Sequence, residues 1–413
     1  MNVTCVANKP LTPFEAPTIL GAKSMHRSRF LDGLRGFAAI YVALHHAYCT
    51  IWPPFAAIGP DQPMSRPAGT AYYITFPLFF GGSAVAIFIA ISGFSLSIPL
   101  IGVAKFDTIK FYLRRIWRIA PPYFAGLMLS MLLISLIIGN KTGSHWDLFI
   151  SYSYFDVLTH FTFIQNLFPF SAQTINGAYW SIAVEMQFYL IYPLILICFR
   201  RNFIFGCVLA STLVAAVRLN AHFNPSTPIS AQLFTLFCIG ILAAATAYSR
   251  DPAAAWLRKG VHFDILGLAS IISGFIVACL SQKYNPSELL IVGGLVCWMI
   301  EDAKGGPRHR TLALFDNAVM ARFGLFAYSI YLTHEPIQQV IWQYGIRQIT
   351  DNKLVQLGLL AVGTFALVIP VAYLFFICCE APFMRFATFD RLYSYLRISR
   401  SSRRSPSALE GEA

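Results

Sequence analysis

The mainly apolar stretch LDGLRGFAAIYVALHHA, residues 31–47, carries Arg35 and His46, with Asp32 and His45 beside them. Arg35 and His46 are eleven positions apart. Eleven steps of about 100° return to nearly the same face of an α-helix, ~16 Å along its axis. Residues 34–52 form an apolar run long enough to cross a bilayer. Arg35 is therefore expected at one membrane edge, with His46 near mid-membrane, where an ionisable group is costly and usually functional.

The composition of the whole chain indicates a polytopic membrane protein. Hydrophobic residues make up 56% of the 413 residues and charged residues only 12%, about half the share usual in soluble domains. We therefore expect an all-α fold, a bundle of about ten transmembrane helices. The predicted spans are 34–52, 76–100, 119–139, 180–199, 203–220, 230–248, 263–281, 286–301, 321–344 and 354–379. The eighth of these is short, and polar residues interrupt the ninth.

The spans divide the chain into three regions. We predict an N-terminal tail over residues 1–30, a transmembrane domain over 31–385 and a largely disordered, Ser/Arg-rich tail over 386–413. The first thirty residues are polar and lack the pattern of a removable signal peptide. Two long connections, 53–75 and 140–179, lie on one side, and residues 155–168 within the second favour an interfacial or re-entrant segment.

The distribution of basic residues predicts the orientation. With ten spans, six of the 31 lysines and arginines fall on one side and the other 25 on the opposite side. The positive-inside rule then places both termini in the cytoplasm of a multi-pass protein of the inner (plasma) membrane. The formal net charge of +12 follows from this topology. The lipid bilayer is thus an expected partner, and nucleic acid is not.

Three ionisable side chains inside the spans are predicted to share a depth. Counting ~1.5 Å per residue, from the cytoplasmic edge for His46 and His334 and from the outer edge for Glu185, places all three in the outer half of the bilayer. Their convergence favours a common polar cavity over separate structural roles. The structural alternatives are a helix–helix hydrogen bond for His46, a kinked helix at His334, Glu335 and Pro336, and a local hydrogen bond from Gln187 or Tyr189 for Glu185. His45 points about 100° away from His46 and is expected to pack against a loop.

A second group of polar residues lies in the sequence YLRRIWRIAPPY, residues 112–123. Arg114, Arg115 and Arg118 form a compact basic cluster at the predicted cytoplasmic surface. The planar guanidinium group suits phosphate binding, although plain positive-inside anchoring also explains the cluster. No spacing of cysteine and histidine predicts a metal site.

Six motifs in order resemble the acyltransferase-3 family of integral membrane acyltransferases. They are LDGLRGFAAIYVALHHA (31–47), IFIAISGFSLS (87–97), RRIWRIAPPYF (114–124), YWSIAVEMQFYLIYPLIL (179–196), FGLFAYSIYLTHEPI (323–337) and CCEAPFMR (378–385). The resemblance implies a ten-helix bundle that moves an acyl group, usually acetyl from cytoplasmic acetyl-CoA, to a hydroxyl of a glycan or similar acceptor. Family members often have an acidic residue where Ala86 stands here. Some carry an additional C-terminal esterase domain, for which we expect the tail after residue 385 to be too short.

The resemblance also implies roles for residues. Arg35 and His46 match an essential pair, and we predict His46 as the general base. Glu185 is predicted to orient its imidazole ring, and a passage for the pantetheine arm is expected along the first helix. Arg114, Arg115 and Arg118 are predicted to bind the phosphates of acyl-CoA, which is a substrate and not a permanently bound cofactor. The motifs add substrate-site candidates at Ser92, Trp180, Tyr331 and His334.

Other functions remain compatible with the residues alone. A proton-coupled transporter also uses intramembrane His and Glu, but it favours internal repeats that are not visible here. A flippase or polymerase for lipid-linked sugars is a further alternative. Among acyltransferases, the acceptor is a cell-surface glycan or a small secreted metabolite such as a macrolide.

Overall fold

A computed structural model describes residues 28–53, 67–99, 101, 106–223, 230–281, 284–305 and 312–384. These residues form helices joined by turns, and no β-strand occurs among them, which confirms the expected all-α class. Most of the predicted N-terminal tail, the predicted C-terminal tail and much of the 53–75 connection lie outside the described residues.

The helices are joined by connections of different lengths. They are α1 (Arg29–Ile51), α2 (Thr70–Ser97), α3 (Thr108–Ile138), α4 (Tyr154–Phe161), α5 (Trp180–Arg201), α6 (Phe203–Phe223), α7 (Ala231–Tyr248), α8 (Pro252–Gly260), α9 (Phe263–Ser281), α10 (Tyr284–Lys304), α11 (Ala318–Leu325), α12 (Ala327–Ile341) and α13 (Lys353–Met384). A wide turn, Trp342–Ile346, extends α12. Several of these helices begin with a side-chain N-cap. At the start of α1, for example, the Ser28 side chain accepts a hydrogen bond from the Leu31 amide.

Seven of the described helices are long and apolar enough to cross a membrane, namely α2, α3, α5, α6, α7, α9 and α13. The chain is therefore a multi-pass membrane protein, but the predicted count of about ten is not confirmed. The remaining predicted spans, 34–52, 286–301 and 321–344, are helical without belonging to this group. Helix α1 is more polar because it contains Asp32, Arg35 and two histidines. The predicted span 321–344 is divided at Phe326 between α11 and α12.

Helix α1 lies at the centre of the bundle and packs against α2, α11 and α12. Glycines allow the closest contacts. A methyl group at Gly36 would collide with the backbone of Met320 in α11, and one at Gly324 with the carbonyl oxygen of Asp32. Between α2 and α7, Gly93 faces the carbonyl oxygen of Phe237 in the same way. These contacts fix the height of α1 relative to its neighbours, and hence the positions of Arg35 and His46.

The long connection between α3 and α5 is folded against the bundle. It contains a short turn, His145–Leu148, and the eight-residue helix α4, which is too short to cross a bilayer. The side chains of Tyr154, Leu158 and Phe170 are exposed by 96%, 60% and 68%. Exposed aromatic and aliphatic side chains of this kind suit the membrane interface, which favours the interfacial alternative for residues 155–168.

Candidate functional site

Three histidines and one glutamate meet where α1, α12 and the long connection converge. His46 Nδ1 lies 3.2 Å from Glu335 Oε1 and 3.1 Å from His334 Nε2. His145 Nε2 lies 3.0 Å from the same carboxylate oxygen, and the other oxygen, Oε2, accepts a hydrogen bond of 3.0 Å from the Ala178 amide. We call these four side chains the histidine cluster. Glu335 is almost fully buried, and its carboxylate is stabilised by these donors.

The hydrogen bonds define the protonation of neutral rings in the histidine cluster. His334 Nδ1 lies 3.0 Å from the carbonyl oxygen of Ile330, so Nδ1 carries the hydrogen and Nε2 is an acceptor. The contact between His334 Nε2 and His46 therefore requires a hydrogen on His46 Nδ1, which also points to Glu335. His46 Nε2 then carries a lone pair, and it has no hydrogen bond with the described residues. The side chain of His46 is 18% exposed, and a ring nitrogen with a lone pair in this setting is able to accept a proton.

Two glutamines hold the histidine cluster in place. Gln338 donates hydrogen bonds to the carbonyl oxygen of Ala43 in α1 and to Thr364 in α13, at 2.8 and 2.9 Å. Gln339 accepts from Ser144 at 3.1 Å, beside His145. The bonds of Gln338 connect α12 to α1 and α13, and the bond of Gln339 connects α12 to the segment that carries His145. Polar contacts therefore help to set the relative positions of the histidines, in addition to packing.

His45 lies outside the histidine cluster. Its Nδ1 is 2.7 Å from the carbonyl oxygen of Leu78, and its ring fills the space left by Gly81. These contacts agree with the structural role expected for it.

A cavity of about 490 Å³ lies nearer the start of α1 and is lined by arginines. We call it the arginine cavity. Its charged lining residues are Arg35, Arg114, Arg115, Arg118, Glu185 and Glu380, so positive charges outnumber negative charges by two. The Nε of Arg115 is buried without a hydrogen-bond partner among the described residues. An excess of guanidinium groups, with an unused donor on Arg115, is suited to a phosphate-bearing ligand.

Arg35 belongs to the arginine cavity. Its guanidinium group binds Asp32 at 2.9 Å and Ser95 at 2.6 Å, which fixes its position at the wall. Ser92 lines the same wall and contacts the hydroxyl of Tyr189 at 2.9 Å. Arg35 and the three arginines of α3, predicted from separate motifs, are thus brought together.

The predicted pairing of Glu185 with His46 is wrong. The Tyr189 hydroxyl donates to the Glu185 carboxylate, one turn along α5, and Glu185 lines the arginine cavity. The carboxylate beside His46 belongs to Glu335. His46 and His334, for which similar depths were predicted, are in contact. Depth along a helix does not determine which face of α5 points to α1.

A single aromatic layer separates the arginine cavity from the histidine cluster, where a continuous passage was expected. Tyr331 and Phe88 line the cavity, with their ring centres 6.0 Å apart, whereas the histidines are absent from its lining. The Tyr331 ring centre lies 5.8 Å from that of His334. Its hydroxyl is held by the Ala178 carbonyl and by Ser181, each at 2.6 Å. Tyr331 is thus the side chain that contacts both regions.

Trp180 lies elsewhere, in the lining of a second cavity of about 400 Å³. The other substrate-site candidates are divided, since Ser92 and Tyr331 line the arginine cavity and His334 belongs to the histidine cluster.

Two residues of the histidine cluster were missed by sequence reasoning. Glu335 follows His334 directly and was considered only as part of a kinked helix. His145 lies in a connection that offered no periodic pattern. The one available signal was that Glu335 shares the depth of His334, because a carboxylate at that depth requires hydrogen-bond donors.

Comparison with known proteins identifies the family of the chain. The sequence profile of the acyltransferase-3 family, described as an acyltransferase domain, matches residues 28–377. Nodulation protein 10 of Rhizobium leguminosarum bv. viciae is 29% identical over 335 residues, covering 75% of this chain and 84% of that protein. No solved structure matches the chain.

Two further relatives are longer than this chain. The peptidoglycan O-acetyltransferase OatA of Listeria monocytogenes is 25% identical over 330 residues, covering 71% of this chain and 51% of that protein. The O-acetyltransferase OatA of Staphylococcus aureus is 24% identical over 364 residues, covering 79% and 53%. The chain thus matches about half the length of each OatA protein. Because the family profile covers most of the sequence, the chain belongs to the acyltransferase-3 family of membrane acyltransferases.

Proposed function

We propose that this protein transfers an acyl group, in the first instance acetyl, from cytoplasmic acyl-CoA to a hydroxyl of a cell-surface or exported glycan. The observation that carries the proposal is the histidine cluster, in which Glu335 and His334 leave the Nε2 lone pair of His46 available. The arginine cavity, one aromatic layer away, supplies a site for an anionic donor.

The donor fits the arginine cavity by charge and position. Acyl-CoA carries several phosphates at one end and a thioester at the end of a slender arm. Arg114, Arg115 and Arg118 would bind the phosphates, with Arg35 further along the wall. Arg35 and His46 are ~16 Å apart along α1, which the extended arm can span. The thioester would then lie at Tyr331 and Phe88, whose rings must separate for it to reach His46.

The chemical step needs one base and one proton carrier. His46 Nε2 takes the proton of the acceptor hydroxyl while the hydroxyl oxygen attacks the thioester carbonyl. The resulting imidazolium is stabilised by the Glu335 carboxylate at 3.2 Å, much as in a catalytic triad. When the C–S bond breaks, the CoA sulfur takes that proton and leaves as the thiol. General-base help of this kind is worth roughly 10²–10⁴-fold in rate.

The acceptor assignment is supported by the relatives. Two of them are named O-acetyltransferases, and one is named for peptidoglycan, so a glycan hydroxyl is the first substrate to test. In the inner (plasma) membrane with both termini cytoplasmic, the arginine cavity opens toward the cytosol. The histidine cluster then faces the side from which an exported glycan arrives.

The test uses the full chain reconstituted in liposomes with labelled acetyl-CoA and a soluble peptidoglycan fragment. We expect acceptor-dependent release of CoA, with the label transferred to the fragment as a hydroxylamine-sensitive ester. The His46→Ala variant should reduce transfer at least 10²-fold while inserting normally, and His45→Asn, one position away, should keep most activity. Near-normal transfer by His46→Ala would exclude it as the base.

A further inference from the structure

The second cavity, of about 400 Å³, contains polar side chains that the chemistry above does not use. Glu288 of α10 accepts a hydrogen bond from the Gln232 side chain through Oε1. Its other oxygen, Oε2, has no hydrogen bond with the described residues and lies against Gly82, where an added Cβ would come within 2.8 Å. Trp180 and Arg218 also line this cavity.

The chemistry of this lining differs from that of the arginine cavity. The lining holds one acidic residue, Glu288, and one basic residue, Arg218, so it does not have the excess of basic residues that characterises the arginine cavity. It offers a carboxylate oxygen and an amide as hydrogen-bond partners, together with the broad apolar face of Trp180. The hydroxyls of a neutral, polyhydroxylated ring can hydrogen-bond to the carboxylate and the amide, and its C–H face can pack on Trp180. The lining therefore suits a sugar.

The second cavity lies at the height of His46, away from the arginine cavity. Gly82 and Ser95 are separated by ~20 Å along α2, and Ser95 binds Arg35. Arg35 and His46 are ~16 Å apart along α1, and the His45 ring packs on Gly81. Since Gly81 and Gly82 are adjacent, Glu288 and His46 lie at similar levels. Val85 lines both cavities, which places them on successive stretches of α2.

A short backbone segment also connects the second cavity to the histidine cluster. Trp180 comes two residues after Ala178, whose amide binds Glu335. On the opposite wall, Gly82 is next to Gly81, against which the His45 ring packs. Helix α2 separates the two sites, and a helix with its side chains is ~10 Å across. A chain of several sugar rings can bridge this distance, whereas a single ring cannot occupy both sites.

The geometry points to the second cavity as a binding subsite for the acceptor glycan, holding a sugar ring next to but not at the ring that is acylated. This inference rests on the proposed function and specifies how the acceptor is selected. Glu288 and Gln232 bind the hydroxyls of the distal ring, Trp180 packs on its face, and His46 acts on a neighbouring ring.

The experiment compares a long and a short acceptor in the reconstituted full chain with acetyl-CoA. The probes are chitotetraose, an oligomer of N-acetylglucosamine, and N-acetylglucosamine itself. We expect Glu288→Gln and Trp180→Ala to raise the KM for chitotetraose at least tenfold. The loss of rate with the monosaccharide should be much smaller than the loss with chitotetraose, and the KM for acetyl-CoA should change little. Gly82→Ala should act in the same direction because its methyl group displaces Glu288. The control is Gly293→Ala on α10, whose added Cβ meets no atom within 4 Å.

Each outcome decides the inference. Equal losses with both acceptors would assign Glu288 and Trp180 a structural role, and equal KM values for the two probes in the unmodified protein would also overturn the subsite. If acetyl-CoA supports no transfer, the proposed function fails, and direct titration of chitotetraose into the protein in detergent still tests the second cavity. Binding weakened at least tenfold by Glu288→Gln supports the subsite in that case, and binding that is absent or unaffected by the substitution refutes it.

Discussion

Replacing Glu335 by glutamine tests the arrangement of the histidine cluster most directly. The carboxylate receives N–H groups on both oxygens, from His46 and His145 on Oε1 and from the Ala178 amide on Oε2. A glutamine side chain of the same shape presents an oxygen on one side only. In either orientation its NH₂ group opposes an N–H donor, so the substitution removes the charge and misaligns at least one ring.

The size of the effect follows from the geometry. At 3.2 Å and an effective dielectric constant of about 20, a carboxylate attracts an imidazolium by about 5 kcal/mol. That attraction is present only once His46 has taken a proton, so it lowers the barrier for transfer more than it stabilises the resting protein. At 1.36 kcal/mol per factor of ten, we expect Glu335→Gln to lower kcat by roughly 10³–10⁴-fold and to change the KM for acyl-CoA little.

The assay follows release of CoA thiol in liposomes, with the amount of inserted protein held equal. Glu301→Gln is the matched control, because Glu301 pairs with Lys304 at 2.8 Å on α10, away from the cluster. Glu185→Gln discriminates between the two carboxylates and should cost much less, since Glu185 contacts Tyr189 and not His46. A Glu335→Gln variant within tenfold of the unmodified protein would refute the argument that Glu335 stabilises the imidazolium.

Three further predictions follow from the surrounding contacts. Arg115→Ala should raise the KM for acyl-CoA by about 10–100-fold, the worth of a hydrogen bond to a charged group, and an altered KM for the acceptor instead would contradict phosphate binding. Phe88→Ala should thin the aromatic layer beside Tyr331 and increase acceptor-independent hydrolysis of acetyl-CoA several-fold, measured as CoA release. Gly36→Ala should prevent α1 from seating on α11 and lower the melting temperature in detergent, whereas Gly345→Ala, with open space around the added Cβ, should not.

The elements that the sequence predicted best are the uniformly apolar ones. The predicted spans 203–220, 230–248 and 263–281 each correspond to a helix that is long and apolar enough to cross a membrane. Segments that carry the chemistry were harder to assign, because their polar residues weaken the hydropathy signal. Helix α1 illustrates this. It contains the polar residues Asp32, Arg35 and His46, two of which are site candidates, and it is not among the helices that are long and apolar enough to cross a membrane.

The candidate site was predicted in its parts but not in its pairing. Arg35 and the arginines of α3 share a cavity, and His46 meets His334, as axial distances suggested. The choice between Glu185 and Glu335 depends on helix rotation and crossing angle, which arise from contacts such as Gly36 against α11. His145 could not be placed at all, because its position depends on how an irregular connection folds back over α12 and is held there by Gln339.

The aromatic layer lies between the arginine cavity, with its excess of positive charge, and the histidine cluster. On the proposed function, the donor occupies the first region and the acceptor reacts at the second. If these two regions were continuous, water could reach the thioester without an acceptor present. Tyr331 is fixed by hydrogen bonds to Ala178 and Ser181, and Ala178 also binds Glu335. Displacement of the Tyr331 ring by an incoming thioester would therefore move the backbone at Ala178, which holds the Glu335 carboxylate beside His46. Entry of the donor would in this way be coupled to the alignment of the base.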